Sequence, residues 1–447
     1  MDDTTNLEEI PKEDVPEQKE APKKMTWKDI LLSKMLRNIL LISLAWCLGI
    51  GCQFIHYSTT TLASDKITRD SQTLLPMTFF FAAQTIVNIP ASIVLGRFGR
   101  RNASVGAAFL AVFGAILSCI AIRVGSFGLL VFSMIPQGIN NCFVFHYRFA
   151  AMSISTPEFR SHAISITIAG GIFSSFTVLQ IPKWTKSLLS PDFTGTYMII
   201  IFIYLILAYV VYLINFTPYK SAEKSLTAQV DSDSTLQVED APKPSKGLLA
   251  ICNDSRFWIS TLTTSFCYGI MSLLMAITPL DMDQHDFSFW MSTTVMQVHV
   301  FAMFFPSLIA GPLISFVGKL RLILIGLFLM FLSCYILCAG PYKAIYFVGM
   351  TFLGIGWNFT FIGGTAYLNV LTSPENELTV QAAHDTFLFF IITVLIASAG
   401  YIDDKLGYVP VAAIAGSFLV VWLGIVLWWA KPQIVDNELR LLREEHE

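Results

Sequence analysis

The sequence predicts an all-α membrane protein: twelve transmembrane helices in two pseudo-symmetric bundles of six, with both termini cytoplasmic. Three observations predict it. The first is composition. Of 447 residues, 54% are hydrophobic and only 14% charged, with a mean hydropathy of +0.61, whereas soluble domains carry about 25% charged residues. The second is that the apolar residues gather in runs of roughly 20, the length at which a helix crosses a bilayer. A spanning β-barrel would show short alternating segments instead. The third is an internal echo. Gly99 of "RFGRR" is matched by Gly318 of "FVGKLR", 219 residues on. Gly138 of "PQGINNCFVF" is matched by Gly354 of "FLGIGWNFTF", 216 on, and Pro157 of "STPEFR" by Pro374 of "TSPENE", 217 on. Three matches at nearly one offset, each at the same place in a six-span pattern, indicate a parallel duplication.

The elements follow in order. Residues 1–37 are acidic and rich in Pro and Glu, which predicts a disordered cytoplasmic tail with no cleavable signal peptide. Its end, "WKDILLSKMLR", suits a short segment on the membrane surface. Spans are predicted at 38–62, 74–96, 103–122, 127–151, 163–181 and 196–216, forming a bundle over 38–216. Residues 217–256 are a polar, low-complexity cytoplasmic linker. Spans at 257–280, 289–316, 322–339, 344–370, 379–402 and 409–430 form the second bundle, 257–430, and 431–447 is a cytoplasmic tail. With both termini inside, 21 Lys and Arg lie on the cytoplasmic side and 7 outside, with Arg148 in a span. The positive-inside rule therefore selects this orientation. The eight cysteines have no metal or redox spacing and read as small buried hydrophobes. Gly pairs at 170–171 and 363–364, with Pro90, Pro136 and Pro306, mark close helix approaches or bends.

Charges inside spans are costly, about 2.5–3.5 kcal/mol each on insertion scales, and tend to face a bundle interior. Arg148 alone among the bases and Asp385 alone among the acids lie well inside a span. At 100° per residue, Gln137, Asn141 and Arg148 share one stripe of span 4. Gln381 and Asp385 share a face of span 11. Trp46, Gly49, Gln53 and His56 line up on span 1, and Gln84 and Asn88 on span 2. Tyr268, Trp357 and Asn358 fall near mid-membrane. Three readings of Arg148 compete: an ion pair with Asp385 that closes the cytoplasmic side, a contact to an anionic substrate, or a local role. The local role would be snorkelling to lipid or pairing with Glu158, while Asp385 bonds Gln381 or backbone. His384 adjoins Asp385 and is a candidate to tune it.

Twelve spans, a six-plus-six repeat, a long central loop and the basic turn "RFGRR" together resemble the major facilitator superfamily, over residues 38–431. Arg97, Gly99, Arg100 and Arg101 match the core of that family's loop 2–3 signature. Gly96 stands where the signature carries an aspartate, and Met134 where drug/proton antiporters carry an arginine in span 4, which argues against a drug exporter. The strings "YRFAA", "AISITIAGG", "QVHVFAMFFPSLIAGPLI" and "GIGWNFTFIGGTAYL" are similar to a little-characterised, bacterial-type branch, some members of which are linked to uptake of organic metabolites or iron chelates. The resemblance implies a secondary transporter working by alternating access, with spans 1, 4, 7 and 10 around a central cavity and spans 2, 5, 8 and 11 between the halves. Arg148, Asp385, Arg97, Gly99, Arg100 and Arg101 are then the gating or coupling candidates. The cavity candidates are Gln53, His56, Gln84, Asn88, Gln137, Asn141, Tyr268, Trp357 and Asn358.

The residues restrict the function further. There is no Gly-x4-Gly-Lys-Ser/Thr phosphate loop, so an ion gradient or the solute's own gradient must drive transport. Neither His-Glu-x-x-His nor a serine elbow occurs, which argues against an enzyme, and no cofactor is expected. No basic patch suggests nucleic acid. The expected partners are a small polar or anionic organic solute, the bilayer and a coupling proton acting through Asp385. The expected setting is a monomer in the plasma (inner) membrane. The alternative is a transporter-like receptor or scaffold that no longer transports, a reading kept open by Gly96 and Met134.

Overall fold

A computed structural model describes residues 34–68, 71–156, 159–217, 251–368, 371 and 377–444. The predicted tail over most of 1–37, the bulk of the linker, Pro157, Glu158 and Pro374 lie outside the described residues. Within them every regular element is helical. An apolar run in lipid must satisfy its backbone internally, and the helix is the way a single segment does so.

The helices are α1 (Lys34–Thr68), α2 (Leu75–Phe98), α3 (Arg100–Val124), α4 (Phe127–Phe145), α5 (Tyr147–Ser153), α6 (Arg160–Phe176), α7 (Ile181–Thr185) and α8 (Thr194–Leu213). After the linker come α9 (Ser255–Gln284), α10 (Phe289–Phe304), α11 (Ala310–Val317), α12 (Lys319–Leu337), α13 (Lys343–Leu368), α14 (Glu377–Leu406) and α15 (Tyr408–Glu444). Caps mark several starts. Ser126, Asp254 and Ser288 accept backbone N–H groups of α4, α9 and α10, which offsets unpaired donors in the first turn.

Among the described residues, eleven helical segments are long and apolar enough to cross a membrane. The predicted run 289–316 is not one continuous helix. It comprises α10, a 3-10 turn at Phe305–Leu308 and α11. Pro306 has no N–H to donate, and its ring clashes with the preceding turn. Asn358 of α13 compensates, its Nδ2 donating to the Met303 carbonyl at 2.6 Å and to Ser307 Oγ at 2.8 Å. The predicted run 127–151 is also broken, at His146, and 163–181 resolves into α6, a 3-10 turn and α7.

The duplication read from glycines has a backbone form. Gly99 (φ 78°, ψ 152°) is the single residue between α2 and α3, and Gly318 (φ 87°, ψ 151°) the single residue between α11 and α12. Positive φ with extended ψ is open only to glycine. Gly138 and Gly354 match in packing. A Cβ on Gly138 would strike the Phe80 carbonyl of α2, and one on Gly354 would lie 2.6 Å from the His299 carbonyl of α10.

Helix contacts repeat likewise. Before the linker α1 packs on α6, α2 on α4, and α3 on α4 and α8. After it α9 packs on α14, α10 on α13, and α12 on α13 and α15. The two sets meet through α2 with α14, α6 with α10 and α1 with α9. Large apolar side chains on the outer faces, among them Ile86, Phe173, Phe316 and Trp428, are exposed. That pattern suits a surface whose solvent is lipid.

Candidate functional site

Arg148 owes its position to the break in α4. His146 Nδ1 sits 2.9 Å from the Cys142 carbonyl, and Arg148 Nε donates to the Phe145 carbonyl at 3.2 Å. Side chains thus engage carbonyls at the point where α4 stops and α5 begins. Arg148 Nη2 then donates to both carboxylate oxygens of Asp385 on α14, at 2.9 and 2.7 Å. Both residues are at most 2% exposed. The guanidinium also lies over the rings of Phe149, Phe361 and Phe145, at 4.7, 5.2 and 5.5 Å. Desolvated cation–π contacts contribute up to about 2 kcal/mol. Asn88 of α2 donates to Ala382 O and Thr386 Oγ1 of α14, at 2.8 and 2.9 Å. Helices from the two sides of the linker are thereby joined at this end.

The predicted neighbours differ in detail. The ring nitrogens of His384 approach the hydroxyls of Thr261 (3.1 Å) and Thr264 (3.4 Å) on α9, so its hydrogen bonds do not go to Asp385. Asn88 joins helices, and Asn358 supports the Pro306 break; the amide donors of both are occupied. Of the loop arginines, Arg100 donates to Ser153 Oγ at 2.9 Å and Arg101 to the Ile214 carbonyl at 3.1 and 2.8 Å. Arg97 is exposed, over the Phe98 ring at 5.8 Å. These contacts stay among residues that precede the linker. Around the Cβ that Gly96 lacks there is open space.

Midway along the bundle the polar candidates converge. Asn141 Nδ2 donates to Gln53 Oε1 at 2.7 Å, tying α4 to α1. Gln137 Nε2 donates instead to Ser118 Oγ and the Ser133 carbonyl, at 3.1 and 3.0 Å. His56 Nδ1 lies 3.1 Å from Thr60 Oγ1, which in turn pairs with the Tyr197 hydroxyl. Tyr268 meets Trp357 edge-on at 5.2 Å, and Trp357 stacks on Phe361 at 4.9 Å. Phe145 bridges to Tyr268 and Phe389. Gln53, His56, Gln84, Gln137, Asn141, Tyr268 and Trp357 are all buried, so solvent does not reach them in this conformation.

The opposite end holds a second junction that sequence reasoning did not single out. Lys183 of α7 donates to Gln297 Oε1 and, at 2.9 Å, to Thr294 Oγ1 of α10. Gln297 Nε2 donates to the Ser175 carbonyl of α6 at 2.9 Å. Trp184 meets Trp290 edge-on, Lys183 lies over Trp290, and Lys186 over Phe289. The available signal was a lysine beside a tryptophan at the end of an apolar run, and Gln297 inside another. Nearby, Lys66 pairs with Asp192 at 2.8 Å and holds its carboxyl below the usual aspartate range. Burial, together with the Lys66 charge, lowers the ammonium of Lys186.

Comparison with known proteins agrees with this architecture. Residues 39–315 match the sequence profile described as Major Facilitator Superfamily. The chain is 28% identical over 375 residues to a protein of Brucella anthropi named riboflavin transporter RfnT, covering 83% of this chain and 90% of that one. It is 23% and 22% identical to two proteins of Bacillus subtilis, the uncharacterised MFS-type transporters YdeG and YddS. Those alignments each cover 82% of this chain and 85% of the relative.

Proposed function

As the chain belongs to the major facilitator superfamily, we propose that it is a secondary transporter that moves a small polar organic solute across the plasma membrane by alternating access. In this reading twelve spans form two bundles of six, and the Arg148 end faces the cytoplasm, as the Lys/Arg distribution favours. A riboflavin-like solute is the leading candidate. It is supported by the relative of that name and by the aromatic and amide side chains that meet mid-bundle.

The observation that carries the reading is the Arg148–Asp385 pair. It is buried, and it joins helices from the two sides of the linker at one end of the path. A pair present in only one of two states biases the equilibrium between them. Protonating Asp385 would remove one charge, release α14 from α5 and favour opening at that end. Release of the proton would restore the pair and close it. This is how a proton gradient would couple to solute movement.

Proteoliposome uptake tests the proposal. Riboflavin, other vitamins, organic anions and iron chelates would be offered with and without an inward proton gradient, to wild type and Asp385→Asn. Proton-driven flux in wild type and uncoupled flux in the variant is the expected outcome. Proton-driven flux unchanged in Asp385→Asn would remove the coupling role and direct attention to His56. Absence of saturable flux for every solute would favour the receptor reading.

A further inference from the structure

We propose that the central site selects an uncharged, planar heteroaromatic solute, and that Tyr57 and Ser272, from opposite sides of the linker, read its polar edge. This rests on the transport reading above and narrows it to a substrate class. Three observations converge on it.

First, an unusual number of buried polar atoms in the middle of the bundle have no hydrogen-bond partner: Gln53 Nε2, the Tyr57 hydroxyl, His56 Nε2, both amide atoms of Gln84, Gln137 Oε1, the Ser272 hydroxyl and the indole nitrogens of Trp46 and Trp357. Folded proteins leave few such groups, since each unsatisfied one costs about 1–3 kcal/mol. Atoms of the same kind occur elsewhere in the fold, at Ser64, Arg160 and Thr365 for example, but several of those named here are neighbours. The Tyr57 hydroxyl has Gln53 and Ser272 within reach of a weak hydrogen bond, and His56 has Gln137, so a solute would replace loose internal contacts with better ones. Tyr57 belongs to α1 and Ser272 to α9, two helices that meet across the junction of the halves. The set holds donors (indole and amide N–H), acceptors (amide carbonyls) and groups that serve as either. A ring edge alternating N–H, C=O and ring nitrogen would satisfy them.

Second, the same region is walled by rings. Trp357 and Phe361 are nearly parallel (12°), Tyr268 meets both edge-on, and Phe145 and Phe389 continue the wall. Flat faces of this size favour a flat ligand.

Third, the site has no spare charge. The buried charged side chains among the described residues are Arg148, Asp385 and Asp281. The first two neutralise one another at 2.7 Å, and Asp281 accepts from Tyr346 and lies at the other end of α9. A phosphate or carboxylate on the solute would therefore lose its hydration with no cation to replace it, unless it broke the Arg148–Asp385 pair. A neutral solute meets no such penalty.

The test uses the full-length protein in nanodiscs, with riboflavin as the neutral probe and its phosphate monoester as the charged one. Stacking on Trp357 should quench flavin fluorescence. Riboflavin should quench saturably, and the phosphate ester should bind at least about a hundredfold more weakly. Tyr57→Phe and Ser272→Ala each delete one hydroxyl and should weaken riboflavin about tenfold, the worth of a hydrogen bond, while Trp357→Phe should reduce the quenching itself. Should Tyr57→Phe fail to fold by size exclusion, Ser272→Ala carries the test. Equal binding of ester and parent, no effect of either hydroxyl deletion, or no quenching by either flavin would each overturn the inference. Flux is scored separately in proteoliposomes. Selective binding without flux would sink the transport reading and keep the inference, whereas equal flux of charged and neutral flavins would do the reverse.

Discussion

Neutralising one member of the Arg148–Asp385 pair should do more damage than removing both. In Asp385→Asn the guanidinium stays buried, loses its counter-charge and one of its two carboxylate acceptors, and keeps the Phe145 carbonyl, three aromatic faces and at most one amide oxygen. Breaking a buried pair by removing one partner costs about 3–5 kcal/mol. The rings limit that loss by up to about 2 kcal/mol, so a net loss of about 1–3 kcal/mol is expected in the closed conformation. In Arg148→Met the orphan is a carboxylate with no aromatic face to fall back on, and the loss should approach about 5 kcal/mol unless Asp385 takes up a proton. The double variant Arg148→Met with Asp385→Leu replaces both charges by apolar groups and should return to within about 1 kcal/mol of wild type. Thermal unfolding in nanodiscs gives the stability half of the cycle. The conformational half has a built-in reporter. Cys142 is buried on α4 with its thiol 3.6 Å from Asn88 Oδ1, at the junction with α14. A loss of about 1–3 kcal/mol in the closed state raises the open fraction by about five- to a hundredfold, so alkylation of Cys142, followed by mass spectrometry, should accelerate in Asp385→Asn. Single variants as stable as wild type, with no rescue in the double and unchanged Cys142 labelling, would refute the gate.

Other predictions follow from the same geometry. Lys183→Met should loosen the opposite end by about 1.5–3 kcal/mol, the range for a charged hydrogen bond, and shift the equilibrium away from opening at Arg148; Cys142 labelling should slow, and faster labelling would contradict it. Gly138→Ala must displace the Phe80 carbonyl and should destabilise by about 1–3 kcal/mol. Gly96→Ala enters open space near the end of α2 and should be neutral or stabilising by up to about 1 kcal/mol; thermal unfolding of the two variants checks the contrast. Lys66 lowers the Asp192 carboxyl, so their pairing contributes fully above the ordinary aspartate value, about 3.9, and is lost as pH falls through the lowered one. Both side chains are more than a third exposed, which limits the contribution to below about 1 kcal/mol. Asp192→Asn should therefore lower the melting temperature slightly at pH 7 and leave it unchanged once pH is low enough to protonate Asp192.

The features readable in advance were those that follow from composition and period. Long apolar runs, the positive-φ glycines at 99 and 318, and the close-packed glycines at 138 and 354 each have one physical cause, visible in one residue type. Helical periodicity put Gln137, Asn141 and Arg148 on one stripe, yet their partners lie on three different helices: α3, α1 and α14. Periodicity gives a face and not the neighbour opposite it. The break at His146 was hidden for a related reason. Nothing in "NNCFVFHYRF" interrupts an apolar helix except side chains that compete for backbone carbonyls, and that competition is settled in three dimensions. Pro306 was visible as a bend, but its depth depended on Asn358, more than fifty residues away, accepting the role of cap. Lys183 was counted as a loop charge because its partners, Thr294 and Gln297, follow more than a hundred residues later.

The two junctions differ in chemistry, and that difference would give the proposed alternation a direction. At the Arg148 end a carboxylate holds a guanidinium, so a single proton can dissolve the contact. At the Lys183 end an ammonium is held by an amide and a hydroxyl. Gln297 and Thr294 have no proton to gain near neutral pH, so acidification leaves this contact intact and solute occupancy is what should act on it. A solute bridging Tyr57 on α1 and Ser272 on α9 would draw together the two helices that meet at the centre, and would act on both junctions at once. The proton would then act on one alone. In the proposed orientation, with the Arg148 end towards the cytoplasm, protonation together with bound solute would bias opening inward. Return would follow once deprotonated Asp385 recaptured Arg148. An inward proton gradient should accordingly drive solute flux in wild type and fail to do so in Asp385→Asn. Proton-driven flux that survives in Asp385→Asn would place the coupling group elsewhere and break the link between the gate and the proton.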